Sequence, residues 1–207
     1  MKQLLFLSAL FALTLFSCKP GGPKNDVIGN IEIAEGGLLT EIDTARLTLI
    51  DSMVFTIDTT ANKSNALVTL SPNIHSEQDE VQFFEKDGRL WRCVVTTFQD
   101  TFDTRSIFYW KDDKQQFIRH REWRKAPHAS PKSKEVLTYF EDGKIIAIVE
   151  RSKLLGGEPP SALYPVPLEI TKRKPSVIVA EYSRYLDPAL KTIEAHKREG
   201  GGSGTEK

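Results

Sequence analysis

Residues 81–98 read VQFFEKDGRLWRCVVTTF, residues 105–124 read RSIFYWKDDKQQFIRHREWR, and residues 135–151 read EVLTYFEDGKIIAIVER. In each, an aromatic-rich run meets a pair of turn residues: Asp87-Gly88, Asp112-Asp113 or Asp142-Gly143. A basic residue follows (Arg89, Lys114, Lys144), and the chain turns apolar again. Asp-Gly between β-prone runs signals a tight hairpin, because Gly tolerates the positive φ that such turns require. The pattern predicts antiparallel strands at about 81–86, 89–98, 105–111, 116–124, 135–141 and 144–151. Strict alternation would put Trp91, Cys93 and Val95 on one face, and Leu90, Arg92 and Val94 on the other. It would likewise set Ile145, Ala147 and Val149 opposite Ile146 and Ile148. That strand, apolar on both faces, is expected in the centre of the sheet with a helix as cover.

Upstream, Ile42, Ala45, Leu49 and Met53 fall at near-helical spacing, with Thr40 and Asp43 as a capping box. Leu47, Leu49, Met53, Phe55 and Ile57 alternate like a strand. The reading is a short helix to about Asp51, a strand Met53–Asp58, a turn at 62–65 and a returning strand Ala66–Leu70, closed by Ser71-Pro72-Asn73. Downstream, Gly156-Gly157-Glu158-Pro159-Pro160 leaves the sheet. Ile178, Tyr182, Tyr185/Leu186, Ala189 and Ile193 then form a helical stripe from about Pro175 to Lys197. Asp187-Pro188 kinks or divides it, and Val177 with Val179 leaves a strand open at its start. The fold class is therefore α+β: an antiparallel meander of about eight strands with a short N-terminal helix and a kinked C-terminal one.

The N-terminus carries a different message. Lys2 is followed by an apolar run from Leu4 to Phe16, too short to span a bilayer comfortably, which reads as a secretory signal peptide. Leu15-Phe16-Ser17-Cys18 resembles the lipobox of bacterial lipoproteins, with Phe16 bulkier than usual. The resemblance implies that Cys18 becomes the mature N-terminus and carries a diacylglyceryl thioether, usually with a further acyl chain on nitrogen. Two or more chains anchor stably where one is marginal. Lys19 after Cys18 implies sorting to the outer membrane, by analogy with enteric bacteria. The expected organisation is signal peptide 1–17, acylated tether 18–26 rich in Pro and Gly, one α+β domain 27–198, and a flexible Gly/Ser tail 199–207.

Composition adds limits. With two cysteines, of which Cys18 is spoken for, no disulfide framework is expected, and stability must come from a core. The formal net charge of +0 at pH 7 names no partner. The chain contains no Gly-x-Ser-x-Gly, His-Glu-x-x-His, P-loop or Cys-x-x-Cys. No catalytic residue, metal or cofactor is therefore expected. His120 with Glu122 reads as a solvated strand face, and Cys93 as a small buried hydrophobe.

One charge pattern stands out. Between Lys114 and Lys134 the basic residues are Lys114, Arg119, Arg121, Arg124, Lys125, Lys132 and Lys134, and Glu122 is the only acid. Trp123 and His128 are interleaved. Of these, Arg119, Arg121, Arg124, Lys125, Lys132 and Lys134 are the candidate anion-binding residues, with anionic lipid or acidic glycan as partner. Export argues against nucleic acid. Alternation sets a condition: Arg119 and Arg121 share a face with Trp123, while Arg124 lies opposite. The competing reading is a charged edge that protects the sheet from aggregation.

The aromatic-Asp-Gly-Lys unit also resembles the hairpin repeats of the MORN-like class, over three hairpins; this implies a sheet without a reaction. Together these features point to a lipid-anchored envelope protein acting as a non-enzymatic binding or scaffolding module. The alternative is a carrier of acyl chains or a small hydrophobic ligand, held in a cavity between sheet and helix.

Overall fold

The computed structural model describes residues 38–39, 41, 43–64, 66–125, 132–154, 163–171 and 173–200. The leader, the tether with Cys18, the loop at 156–160, His128 and residues 201–207 lie outside them. Eight strands form one antiparallel sheet in sequence order: β1 (Leu67–Leu70), β2 (Glu80–Lys86), β3 (Arg89–Phe98), β4 (Phe102–Lys111), β5 (Lys114–Arg124), β6 (Lys132–Glu141), β7 (Lys144–Leu154) and β8 (Glu169–Ile170). Helix α1 (Thr44–Lys63) covers one face and α2 (Pro175–Gly200) the other. The α+β meander is as expected. The strand count agrees although the membership differs, since 53–58 is helical and β8 was not foreseen.

The hairpins β2–β3, β4–β5 and β6–β7 are three copies of one device. Both central turn residues have positive φ in every copy: Asp87 55° and Gly88 73°, Asp112 51° and Asp113 61°, Asp142 51° and Gly143 80°. This is the type I′ geometry, whose twist matches that of the strands it joins. Two residue pairs beyond each turn the register slips by one, at Trp91, Gln116 and Ile146. A bulge of this kind reverses the alternation locally. Trp91 therefore packs on the α1 side while Cys93 and Val95 face α2, and Ile146 joins Ala147 and Val149 on the α1 side while Ile145 and Ile148 face α2. The face assignments expected from strict alternation fail at these two strands for that reason.

Helix α1 replaces the expected short helix and strand with one continuous element. Its N-cap is Asp43, whose side chain accepts from the Arg46 N–H at 3.0 Å. Leu47, Val54 and Ala61 recur every seven residues on its buried side, with Ile57. The heptad fits the hairpin repeat. Two strand spacings are about 9.5 Å, and seven helical residues rise about 10.5 Å. Asp51 accordingly hydrogen-bonds the hydroxyl of Tyr139 in the third hairpin. Asp58 accepts from the equivalent Tyr109 in the second, at 3.1 Å, and from Arg92 at 2.9 Å. Arg46 pairs with Glu141 at the third turn.

On the opposite face α2 seats Ile178, Tyr182, Leu186, Ala189 and Ile193 against Phe83, Cys93, Phe108, Ile118 and Ile148. The Tyr182 and Thr138 hydroxyls share a buried hydrogen bond of 2.8 Å. Pro188 lies inside this single helix, which runs past the expected boundary at 198 to Gly200. Strand β7 is penultimate rather than central. Its outer edge is covered by β8 and by the N–H groups of Leu39, bonded to Ile146 O at 2.8 Å, and Thr171, bonded to Ile148 O at 3.1 Å. That edge cover, with a helix layer on each face, accounts for its apolar character.

Candidate functional site

The sheet divides the six candidate anion-binding residues. Arg119 and Arg121 point to the α1 side. Arg124, Lys132 and Lys134 point to the α2 side. Lys125, just past β5, is fixed to the β3–β4 turn by a 2.9 Å bond to Gln99 O and a 2.7 Å ion pair with Asp103. The six residues do not form one surface.

On the α1 side the centre is Glu135, whose side chain is 1 % exposed. Arg121 Nε donates to it at 2.6 Å and Arg151 Nε at 2.7 Å, while Arg119 Nε stands 3.6 Å away, beyond hydrogen-bond length. Burial pushes the Glu135 carboxyl upward, but the hydrogen bonds and charges of Arg121 and Arg151 outweigh it and hold the group below its ordinary range. The Tyr164 ring lies against both guanidiniums, at 5.0 Å from Arg121 and 5.4 Å from Arg151. The ladder register continues this row across β4: Arg105 stands directly opposite Arg121, and Arg121 opposite Glu135, which faces Arg151. Arg105 is exposed and, among the described residues, makes no ion pair. Half-buried Trp123 occupies the same face one row further out. Helix α1 packs over the turn-proximal half of this face, against Tyr109, Phe117 and Tyr139. The arginine row lies beyond it, toward the other end of the strands.

On the α2 side two clefts adjoin, sharing Lys132 and Lys134. One of about 280 Å³ adds Glu150, Arg151, Glu169 and Arg173. The other, about 240 Å³, adds His120, Glu122, Arg124 and Glu181. Their charges largely cancel. Arg124 donates to Glu122 at 2.8 Å, Lys134 lies 3.7 Å from Glu150, and Arg173 pairs with Glu181. Both clefts are lined mostly by charged side chains, with Ser152, Val166 and Pro167 also on the larger one, a poor match for an acyl chain.

Sequence reasoning missed Glu135, Arg151, Arg105 and Tyr164. The basic stretch ends at Lys134, one residue short of the carboxylate that orders it. His120 is buried against Tyr182 and Tyr185 rather than solvated, with Nδ1 2.8 Å from Ser106 Oγ. Burial chiefly, opposed in part by Glu122 and Glu181, pushes its pKa down to about 4. Cys93 is 0 % exposed, and burial pushes its thiol up to about 12. Among the described residues no three of His, Cys, Asp and Glu cluster as metal ligands would.

Set against known proteins, the chain matches no family model, no curated protein and no solved structure.

Proposed function

We propose that the mature chain is a cell-envelope lipoprotein, held at the membrane through Cys18 and working as a non-enzymatic binding module for anionic groups. The observation that carries this reading is the Arg105–Arg121 pair. Like charges directly across a ladder destabilise a sheet, and among the described residues Arg105 has no acidic partner of its own. Arg119, Arg121 and Arg151 gather on the carboxylate of Glu135, with Asp51 near Arg119, so with Arg105 the row keeps a positive excess on an accessible face. Guanidinium forks match the oxygens of phosphate and carboxylate groups. Trp123 and Tyr164 flank the row, as amphipathic aromatics do where water meets lipid or sugar. The ligand class is accordingly a phosphate- or carboxylate-bearing surface, lipid headgroup or acidic glycan.

Arg121 is unsuited to a charge reversal, because a second carboxylate beside Glu135 would disrupt the core pair. Arg105 is the clean probe. Each basic residue near an anionic surface contributes about 1 kcal/mol, so Arg105→Glu removes about 2 kcal/mol, roughly 30-fold in affinity. The assay is co-sedimentation with phosphatidylglycerol vesicles, and in parallel with a uronic-acid polysaccharide, at low and physiological salt. Binding that weakens with salt and falls in the variant supports the proposal, and the arm that binds names the source. Absence of binding in both arms at low salt overturns it. The anchor is tested separately: Cys18→Ser shifts the protein from the detergent phase to water, and equal partitioning would refute lipidation.

A further inference from the structure

Helix α1 turns several of its charges toward the sheet. A helix packed on a sheet ordinarily turns its apolar stripe inward and its charges to water. Helix α2 obeys this, with Arg184, Asp187 and Lys191 exposed on its outer surface. In α1, Arg46, Asp51 and Asp58 are engaged with Glu141, Tyr139 and Tyr109 of the sheet. Its exposed residues include the uncharged Ala45, Thr48, Leu49, Ser52, Phe55 and Thr56, and also Asp51. Leu49 is 74 % exposed and Phe55 72 %. Lys63, in the last turn, is exposed as well.

Three of the threonine hydroxyls on this helix need no water. Thr48 Oγ1 donates to Thr44 O at 2.6 Å, Thr56 Oγ1 to Ser52 O at 2.9 Å, and Thr60 Oγ1 to Thr56 O at 2.8 Å. Threonines bonded back to the preceding turn satisfy their hydroxyls within the helix, so this surface can leave water without stranding them. A face with two protruding large hydrophobes, and with threonines bonded back into the helix, is suited to a non-aqueous environment.

We infer that the outward face of α1 docks into the interfacial region of an anionic bilayer. The inference rests on the reading of the chain as membrane-anchored. Position on the fold selects lipid as the occupant. The helix and the arginine row share one side of the sheet, and Trp123 and Tyr164 are on that side too. A layer packed on a sheet stands roughly 10 Å above it, and interfacial helices sink about 5–10 Å into the headgroup–acyl boundary. With α1 at that depth, Arg105 and Arg121 come level with the phosphates. Apolar insertion and headgroup pairing would then operate together.

The test uses residues 18–207 with Cys18→Ser, which keep every described residue, and vesicles of phosphatidylcholine with and without phosphatidylglycerol. Cys93 is buried, so Phe55→Cys can be labelled singly with an environment-sensitive dye, and Arg184→Cys on α2 serves as control. The expected result is a blue-shifted label at 55, shielded from aqueous quencher on anionic vesicles, and no change at 184. Leu49→Asp with Phe55→Asp should lower vesicle affinity at least tenfold without moving the melt. If that double variant binds undiminished, the inference falls while the arginine reading stands. If the label is shielded without vesicles and the mass doubles with concentration, the face joins two copies of the chain and the inference is overturned. If the parent chain binds no vesicle at low salt, the inference falls, and with it the lipid source for the arginine row.

Discussion

Arg121 Nε lies 2.6 Å from an oxygen of Glu135, a carboxylate buried within the sheet and shared with Arg151 and Arg119. Removing one member of such a buried group leaves uncompensated charge, at a cost of about 3–5 kcal/mol. Glu135→Gln should therefore unfold at much lower urea than the parent chain at pH 7. The folded pKa of Glu135 is depressed below its ordinary 4.5. Its contribution is thus present above the unfolded value and is lost as pH falls through the folded one. The difference between parent and variant should shrink in acid. A variant as stable as the parent at neutral pH would contradict the pairing.

The three type I′ turns offer a matched experiment. Asp142 and Gly143 both have positive φ, and a Cβ on Gly143 would meet nothing within 4 Å. The cost of Gly143→Val is then backbone strain alone, about 1–3 kcal/mol. The middle hairpin carries Asp113 at φ 61° where the others carry Gly. Asp113→Gly should stabilise by a few tenths to about 1 kcal/mol, since Gly adopts this region with less strain but orders at greater entropic cost. The lost contact with Arg89, 3.6 Å long between exposed groups, counts for little. Thermal melts decide both; a destabilised Asp113→Gly would show that the turn is not strained.

These hairpins were legible because their signal is local: Asp-Gly at a turn, aromatic and β-branched residues on either side. Helix α1 was legible only to about Asp51, because Leu49 and Phe55 complete an apparent strand alternation while pointing away from the core. Period-2 counting also fails at Trp91 and Ile146, where a bulge moves one side chain to the other face. The candidate site was half legible. Arg119 and Arg121 were found as basic residues in one strand. Their organising partners are set by register: Glu135 and Arg151 on the next two strands, Arg105 on the one before, and Tyr164 beyond β7. Charge counted along the chain cannot report neighbours across a ladder.

Cys93 gives a sharp readout of core integrity. It is 0 % exposed beside Phe83 and Phe108, and burial pushes its thiol up to about 12. Thiolate is the reactive form, so in Cys18→Ser protein the aromatic disulfide reagent for free thiols should release no colour until denaturant is added, and then one equivalent. Stoichiometric reaction of the folded protein within minutes would place Cys93 outside the core.

His120 should make the fold sensitive to mild acid. It sits on β5 beneath α2, 5 % exposed, with ring contacts to Tyr182 at 6.0 Å and Tyr185 at 5.4 Å. Burial chiefly, aided by Lys134 and Arg173 and opposed by Glu122 and Glu181, lowers its pKa from 6.5 to about 4. The neutral ring is therefore the folded form. A group whose folded pKa lies below its unfolded one binds fewer protons when folded, so its contribution is complete above about pH 6.5 and is lost as pH falls from there through 4. A shift of this size corresponds to on the order of 3 kcal/mol. Urea unfolding at pH 7.5 and 4.5 should show the parent losing more stability than His120→Gln, which cannot titrate; the carboxylates common to both cancel in the comparison. Equal losses in the two proteins would mean that His120 is not held neutral by its surroundings.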